Sequence, residues 1–326
     1  QSPSTPARSA SMKRIRRIED VSDAERGAAA AIGNFDGVHL GHAHVLDRTR
    51  RAGAAIGAPL AVLTFEPHPR EVFRPDDPPF RLMDADTRAH RLEKLGVELL
   101  FELDFGQIRP LPHDVFSAHV LGAGLGLTHV CVGADFRYGL QRGGTLDTLR
   151  AEGAAHGFAV EIADTLPSPR GAERVSSTAI RTALSEGRPR DAAAMLGHWH
   201  RIEGPVLHGE KRGRDLGYPT ANMALGRLHR PRFGVYAVEV EIRDGPYAGR
   251  QIGVASLGVR PQFGLNEANL ETYLFDFAGD LYGATLSVAL VEFLRPEAKF
   301  DNLDALIAQM DADSAQARAV LAAEAP

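Results

Sequence analysis

A single cysteine, Cys131, stands in a chain of 326 residues. It cannot form a disulfide within the chain, and it leaves no ligand set for a cysteine-built zinc cluster. Long apolar runs are missing too. None approaches the roughly 18 residues of a membrane-spanning helix, and no apolar stretch near the N-terminus reads as a secretory signal. Nor is there an excess of basic charge: 37 Lys and Arg against 42 Asp and Glu leave a net charge of −5. That balance argues against a general nucleic-acid coat. The sequence G-x-x-x-x-G-K-[ST] is absent, so P-loop chemistry is not indicated, and there is no internal repeat. These absences lead us to expect a cytoplasmic protein with no nucleic-acid and no membrane partner. Homo-oligomerisation is left open and nothing in the sequence indicates it.

What is present suits two ordinary domains. With 44% hydrophobic and 24% charged residues, the chain can bury normal cores, and its length suggests about two domains at roughly 150 residues each. Residues 1–11, QSPSTPARSAS, are small and polar and read as a disordered tail or a non-native remnant, with Met12 as a natural start. From 28 to 185, short apolar runs alternate with helix-like segments. The runs lie at 28–35, 58–65, 97–103, 128–136 and 158–164. They lack strict alternation, as strands buried on both faces do. Four successive βα steps predict an α/β domain over 12–186 with a doubly wound parallel sheet. After a linker at 187–199 the pattern changes. In VYAVEVEI (235–242), Tyr236, Val238, Val240 and Ile242 face one way, and Asp244-Gly245 follows as a hairpin signal. Several short strands without intervening helices predict a small antiparallel β-barrel over 200–326. A closing helix is expected from about 302 to 323, with Asp301 as its N-cap. Its apolar stripe is Leu303, Leu306, Ile307, Met310, Ala317, Val320 and Leu321.

Chemistry concentrates in two blocks. In the first, the strand AAAAIGNF runs into DGVHLGHAHVL. Gly33 and Gly37 permit a tight strand-to-helix turn with close ligand approach. His39 and His42, three apart, share one face of the first helical turn, where free N–H groups and the helix dipole already favour phosphate. Two imidazoles there suit the bridging and leaving oxygens of a triphosphate; on their own, two such histidines also fit surface decoration or a metal site. VSSTAIRTAL (175–184) opens a helix with Ser176, Ser177 and Thr178 and carries Arg181 one turn on. Those hydroxyls read either as caps or, with the guanidinium, as a clamp on a departing pyrophosphate.

In the second block, HGEKRGRDLGYPTANM (208–223) is rich in Gly, Lys and Arg, and a Gly-rich basic loop can wrap phosphates with backbone N–H groups. Thr220 and Asn222 are two apart, so on an extended segment both side chains point the same way. A hydroxyl and an amide oxygen suit Mg²⁺; a basic turn before a strand start is the plainer reading. Glu271 sits in LETYLFDFAGDLYG among mostly apolar neighbours, where a carboxylate can act as a general base or simply face an edge.

GNFDGVHLGH, TFEPHP (64–69), VGADFRYGLQRGG (132–144) and VSSTAIR resemble the FMN adenylyltransferase module of prokaryotic bifunctional riboflavin kinase/FAD synthetases. PTAN, GVYAV (234–238), SLGVRPQFG (256–264), ETYLFDFAGDLYG and LRPEAKFDNLDAL (294–306) resemble, in order, the riboflavin kinase domain of the same enzymes. The resemblance implies a six-stranded barrel and an enzyme that phosphorylates riboflavin to FMN and then adenylylates FMN to FAD, with ATP as co-substrate, Mg²⁺ as cofactor and pyrophosphate released. It implies ATP contacts in the adenylyltransferase from Gly33, Phe35, Asp36, His39, Gly41, His42, Ser176, Ser177, Thr178 and Arg181. His39 and His42 are implied as catalytic, and FMN contacts are implied for Phe65, His68 and Asp135. In the kinase it implies ATP contacts from Gly209, Lys211, Gly213, Thr220 and Asn222, metal ligation by Thr220 and Asn222, a general base in Glu271 and a flavin contact from Arg295. Many relatives have His where Tyr273 stands here.

Overall fold

A computed structural model describes residues 11–171, 173–208, 217–259 and 267–324. Contacts divide the chain into two compact units, one of residues 1–77 and 85–166, the other of 78–84 and 167–326.

In the first unit six parallel strands lie in the order β1-β4-β3-β2-β5-β6. They are β1 (Lys13–Ile15), β2 (Ala29–Ile32), β3 (Leu60–Glu66), β4 (Leu99–Asp104), β5 (His129–Gly133) and β6 (Ala159–Ala163). Five of them are the expected runs; β1 is additional, pairing Lys13, Arg14 and Ile15 with Leu99, Leu100 and Phe101. Strand β2 is buried along its whole length, as a central strand covered on both faces must be. Helices α1 (Leu40–Ile56), α3 (Ala85–Lys94) and α4 (Leu146–His156) supply the main crossovers, and a short α2 (Pro69–Phe73) follows β3. The segment 113–124 begins as an α turn and continues as a π-helix over Phe116–Gly122. Ile32, Leu63, Phe101, Leu121, Val130 and Val132 belong to the resulting core. From β2 the chain winds outward one way to β3 and β4, then returns to place β5 on the other side of β2. That reversal leaves a crevice at the carboxyl ends of β2 and β5, where open parallel sheets bind ligands.

In the second unit helices α5 (Ser177–Ser185) and α6 (Pro189–Leu196) precede six antiparallel strands. These are β7 (Arg201–Pro205), β8 (Ala221–Ala224), β9 (Gly234–Ile242), β10 (Gly249–Val259), β11 (Ala268–Leu274) and β12 (Thr285–Arg295), in the order β7-β12-β9-β10-β11-β8. The edges meet where Leu207 N–H donates to the Asn222 carbonyl at 2.8 Å, so the sheet closes into the expected barrel. Tyr236, Val238, Val240 and Ile242 fill its interior. Gly253 is required in β10, because a Cβ there would stand 2.1 Å from the Tyr273 carbonyl oxygen. The span 187–199, read from sequence as a linker, holds α6.

The terminal helix α7 (Leu303–Glu324) lies against the barrel's outer wall through Ala317 and Leu321, which cluster with Ala237, Phe275 and Val291. Two details of the sequence reading are corrected. Leu303 is 54% exposed, so the stripe starts later. The cap is Asn302, whose Oδ1 accepts from Ala305 N–H at 2.8 Å, because the helix begins one residue after the expected Asp301 position allows.

Candidate functional site

The strand β2 ends at Ile32, Gly33 follows, and the turn to α1 is tightly wound. Phe35, Gly37 and Val38 all take positive φ, at 53°, 87° and 44°. Only glycine does so without strain; the two non-glycine residues store of the order of 1–3 kcal/mol each. Phe35, Asp36 and Val38 are nonetheless buried. Gly41 lies in the first turn of α1.

His39 is the N-cap of α1. Its Nδ1 accepts from His42 N–H at 3.3 Å, and His42 Nδ1 accepts from His39 N–H at 3.2 Å. The pair is a capping box built from two imidazoles instead of the usual hydroxyl and carboxylate. The rings stack at 3.6 Å between centroids, with Phe35 4.8 Å from His42. Because each Nδ1 is an acceptor, each ring keeps its proton on Nε2. Desolvation first, then His39 and Arg88, hold the His42 imidazole well below its ordinary basicity, so it is neutral at pH 7.

Behind this turn lies a residue that sequence reasoning missed. Arg88 of α3 is fully buried. It donates to the Asn34 carbonyl at 3.2 Å and pairs with Glu66 at 2.7 Å and Glu102 at 3.2 Å. Its segment, DADTRAHRLEKL, reads as a plain amphipathic helix, and nothing in that pattern separates Arg88 from Arg91.

The neighbouring strand end carries the next motif. Phe65, at the end of β3, is buried against Phe105 and Phe116. A cis Glu66–Pro67 bond follows, and His68 caps α2, with Nδ1 accepting from Arg70 N–H at 3.1 Å. Asp135 is exposed just past the end of β5. Gly33, Phe65, His68 and Asp135 therefore all sit at the carboxyl ends of three adjacent strands.

The hydroxyl-rich motif lies in the second unit. Ser176 is the N-cap of α5, its Oγ accepting from Ala179 N–H at 3.1 Å. Ser177 is partly buried and Thr178 exposed in the first turn. Arg181 donates from Nε to the Phe80 carbonyl at 2.6 Å and lies over the Phe80 ring.

In the barrel, Asn222 on β8 and Glu271 on β11 are direct cross-strand partners. Ala221 and Met223 point into the barrel core, as do Ala268, Leu270 and Leu274, so Asn222 and Glu271 project from the opposite, outer face. Asn222 is 4% exposed, Glu271 partly so, and Thr220 immediately precedes β8. Tyr273, the departure from the family pattern, makes edge contacts with Tyr218 at 4.9 Å and Phe275 at 5.8 Å, which is a packing role. Arg295, expected near flavin, binds Asp313 of α7 through Nε and Nη2 at 2.8–3.1 Å. Gly209, Lys211 and Gly213 lie outside the described residues. Hydroxyl and amide oxygens suit a hard divalent cation; Thr220 and Asn222 supply one of each, with the Glu271 carboxylate on the partner strand opposite Asn222.

Two family models match in series: FAD synthetase over residues 21–179 and riboflavin kinase over 196–321. A Pseudomonas fluorescens protein named bifunctional riboflavin kinase/FMN adenylyltransferase is 42% identical over 316 residues, covering 96% of this chain and 99% of its own. Its Escherichia coli namesake is 38% identical over 310 residues, 94% of this chain and 97% of that one. A crystal structure from Streptococcus pneumoniae, described as a macrolide-efflux protein, superposes with a TM-score of 0.80 at 30% identity, over 95% of this chain and 99% of that one. In the chain at hand no helix among the described residues is long and apolar enough to cross a membrane.

Proposed function

The chain belongs to the bifunctional riboflavin kinase/FMN adenylyltransferases, and from that premise we propose how its residues divide the two reactions. The enzyme transfers the γ-phosphoryl group of ATP to riboflavin, giving FMN, and the AMP moiety of a second ATP to FMN, giving FAD and pyrophosphate. Both steps are in-line displacements at phosphorus, in which positioning and charge stabilisation do most of the catalysis.

For adenylyl transfer, His39 and His42 donate from Nε2 to phosphate oxygens as pyrophosphate leaves. Their reciprocal capping box is the observation that carries this assignment: it fixes both rings and both tautomers at a helix N-terminus before ATP arrives. Gly33, Phe35, Asp36 and Gly41 shape the turn around the nucleotide, and Phe65, His68 and Asp135 receive FMN. Ser176, Ser177, Thr178 and Arg181 are assigned to ATP on their motif; Ser176 also caps α5.

For the kinase, Glu271 takes the proton of the ribityl 5′-hydroxyl as that oxygen attacks the γ-phosphorus. Thr220 and Asn222 hold Mg²⁺, which when bound neutralises phosphate charge. Gly209, Lys211 and Gly213 are assigned to ATP on their motif alone. Arg295 is assigned to flavin on its motif; its guanidinium also holds Asp313. The functional division is 12–186 for adenylyl transfer and 200–326 for the kinase, joined by 187–199, in a cytoplasmic enzyme without nucleic-acid partners.

Product analysis tests the whole reading. Riboflavin with Mg·ATP should yield FMN and then FAD, and supplied FMN should yield FAD directly. FMN without FAD would remove the adenylyltransferase assignment; neither product would leave a flavin-binding protein. Chelation by EDTA should abolish the kinase step, and added Mg²⁺ should restore it.

A further inference from the structure

Strand β11 carries a second amide on the outer face that holds Glu271. Asn269 is two residues before Glu271 and opposite Ala224, diagonal to Asn222 across the β8–β11 ladder. Its side chain is completely buried, and its Nδ2 donates to Asn222 Oδ1 at 3.0 Å. A buried position on a strand is ordinarily filled by a β-branched or aromatic residue; an amide here must answer to a polar neighbour.

We propose that Asn269 is a positioning residue for the kinase reaction, holding the Asn222 amide with its oxygen, rather than its nitrogen, directed at the shared site. This rests on reading Asn222 as a cation ligand. The two ends of an Asn amide are almost equal in shape, and a half-turn exchanges acceptor for donor. Only the oxygen can ligate a cation. By donating to Oδ1, Asn269 selects that end, and the oxygen keeps a second lone pair for the metal. The Asn222 main chain is fixed as well, because its carbonyl accepts from Leu207 N–H at 2.8 Å. Asn269 Oδ1 is buried with no partner among the described residues. An acceptor of that kind is costly unless something donates to it, and an O–H donor arriving with the substrates, such as a cation-bound water, fits.

A double-mutant cycle on the full-length chain tests this, read by calorimetric titration of ADP with and without Mg²⁺. The Mg²⁺-dependent binding that Asn222→Ala removes is the kinase component. Asn269→Leu, which keeps the bulk and loses the donor, should weaken that component about tenfold, with kinase kcat falling in parallel. The double variant should be no worse than Asn222→Ala, since a residue acting through another adds nothing once that partner is gone. Formation of FAD from supplied FMN reports that the adenylyltransferase half of each variant is intact, and the melting transition of the barrel that the kinase half is. If the Leu variant does not fold, Asn269→Ser, which subtracts the amide without adding bulk, should show the same weakening. Wild-type Mg²⁺·ADP binding in Asn222→Ala would remove the cation reading of Asn222 itself. Loss in Asn222→Ala beside binding within twofold of wild type in the Asn269 variant, or additive losses in the double variant, would overturn the role of Asn269 alone.

Discussion

On the assignment proposed above, the His42 imidazole does two jobs with its two nitrogens: Nδ1 completes the helix cap, and Nε2–H serves the ligand. On that assignment, removing the ring loses one transition-state donor and loosens one cap. His42→Ala should slow FAD formation by roughly 10²–10³, the scale of a lost oxyanion-type donor, and leave FMN formation unchanged; loss of both activities would point to misfolding. Glu271 is assigned a different kind of work. The Gln variant keeps shape and one acceptor oxygen but has no basicity. Its kinase kcat should fall by about 10²–10⁴, with riboflavin and ATP affinities little changed, because the loss lies in the transition state. Steady-state kinetics with the two half-reactions assayed separately would check this, and a kcat within about threefold of wild type would remove the general-base role. At this scale the sequence was informative where spacing implies geometry. His39 and His42, three apart at a helix start, meet as N-cap and N3 of α1, and the spacing of Thr220 and Asn222 is a strand-period pattern at the start of β8. Asn222 beside Glu271 depends instead on pairing between strands 49 positions apart in the chain, and Arg88 reaches its partners only through the fold; neither leaves a local signal.

The terminal helix α7 shows how one element is secured by few contacts. Its buried side chains include Asp313, which is 5% exposed at the side chain and faces Arg295 at the end of β12. Gln309 Nε2 also donates to Asp313 Oδ1 at 2.9 Å. The Arg295 side chain is 21% exposed, so losing Asp313 removes charge-assisted hydrogen bonds worth about 1.5–3 kcal/mol without stranding a fully buried charge. Asp313→Ala should thus lower barrel stability by about 2 kcal/mol in urea unfolding of the full chain. A change under about 0.5 kcal/mol would mean that the helix is held by its other contacts, among them Ala317, Leu321 and the Arg190–Glu324 and Arg318–Asp276 pairs. The same element shows where sequence patterning stops. Its apolar spacing gave the helix within a residue or two, but not which third of the stripe would be covered, since that depends on the outer wall of a barrel built from distant strands. Strand β1 was missed for a related reason. Three residues, Lys13, Arg14 and Ile15, show no alternation, and they become a strand only because β4 offers an open edge. The buried runs of β2 to β6 were legible because parallel central strands need apolar residues on both faces.

Each unit also carries histidines that burial keeps neutral. In the first, His42 is held well below its usual value. In the second, desolvation takes His200 down to about 3, with the neighbouring His229 and His198 adding to it, and His229 down to about 4, with Arg181 and Arg230 adding to it. Their folded values lie below the unfolded value of about 6.5, so on acidification the unfolded chain binds protons first. Stability is therefore full above about pH 6.5 and is lost as pH falls below it, by up to about 1.4 kcal/mol per pH unit for each buried imidazole. Melting temperatures measured from pH 7.5 to 4.5 should fall across that window, and His200→Gln should flatten the slope; a profile flat to pH 4.5 would contradict it. The second unit's independence can be tested in the same way. The riboflavin kinase match begins at 196, whereas the contact division starts this unit's main segment at 167. The difference is α5 and α6. Pro189, Ala192, Met195 and Leu196 of α6 are buried, and Arg190 pairs with both Glu292 and Glu324. A fragment of 196–326 retains the closed barrel, the Asn222–Glu271 pair and α7, and about 130 residues suffice for one core. It should fold and make FMN. A fragment of 167–326 should make FMN at a similar rate but melt higher by roughly 5–10 °C, the shift expected from about 2–3 kcal/mol in a domain of this size. Equal melting points would show that α6 contributes nothing to the barrel. An insoluble shorter fragment would show that α5 and α6 are part of the kinase fold itself.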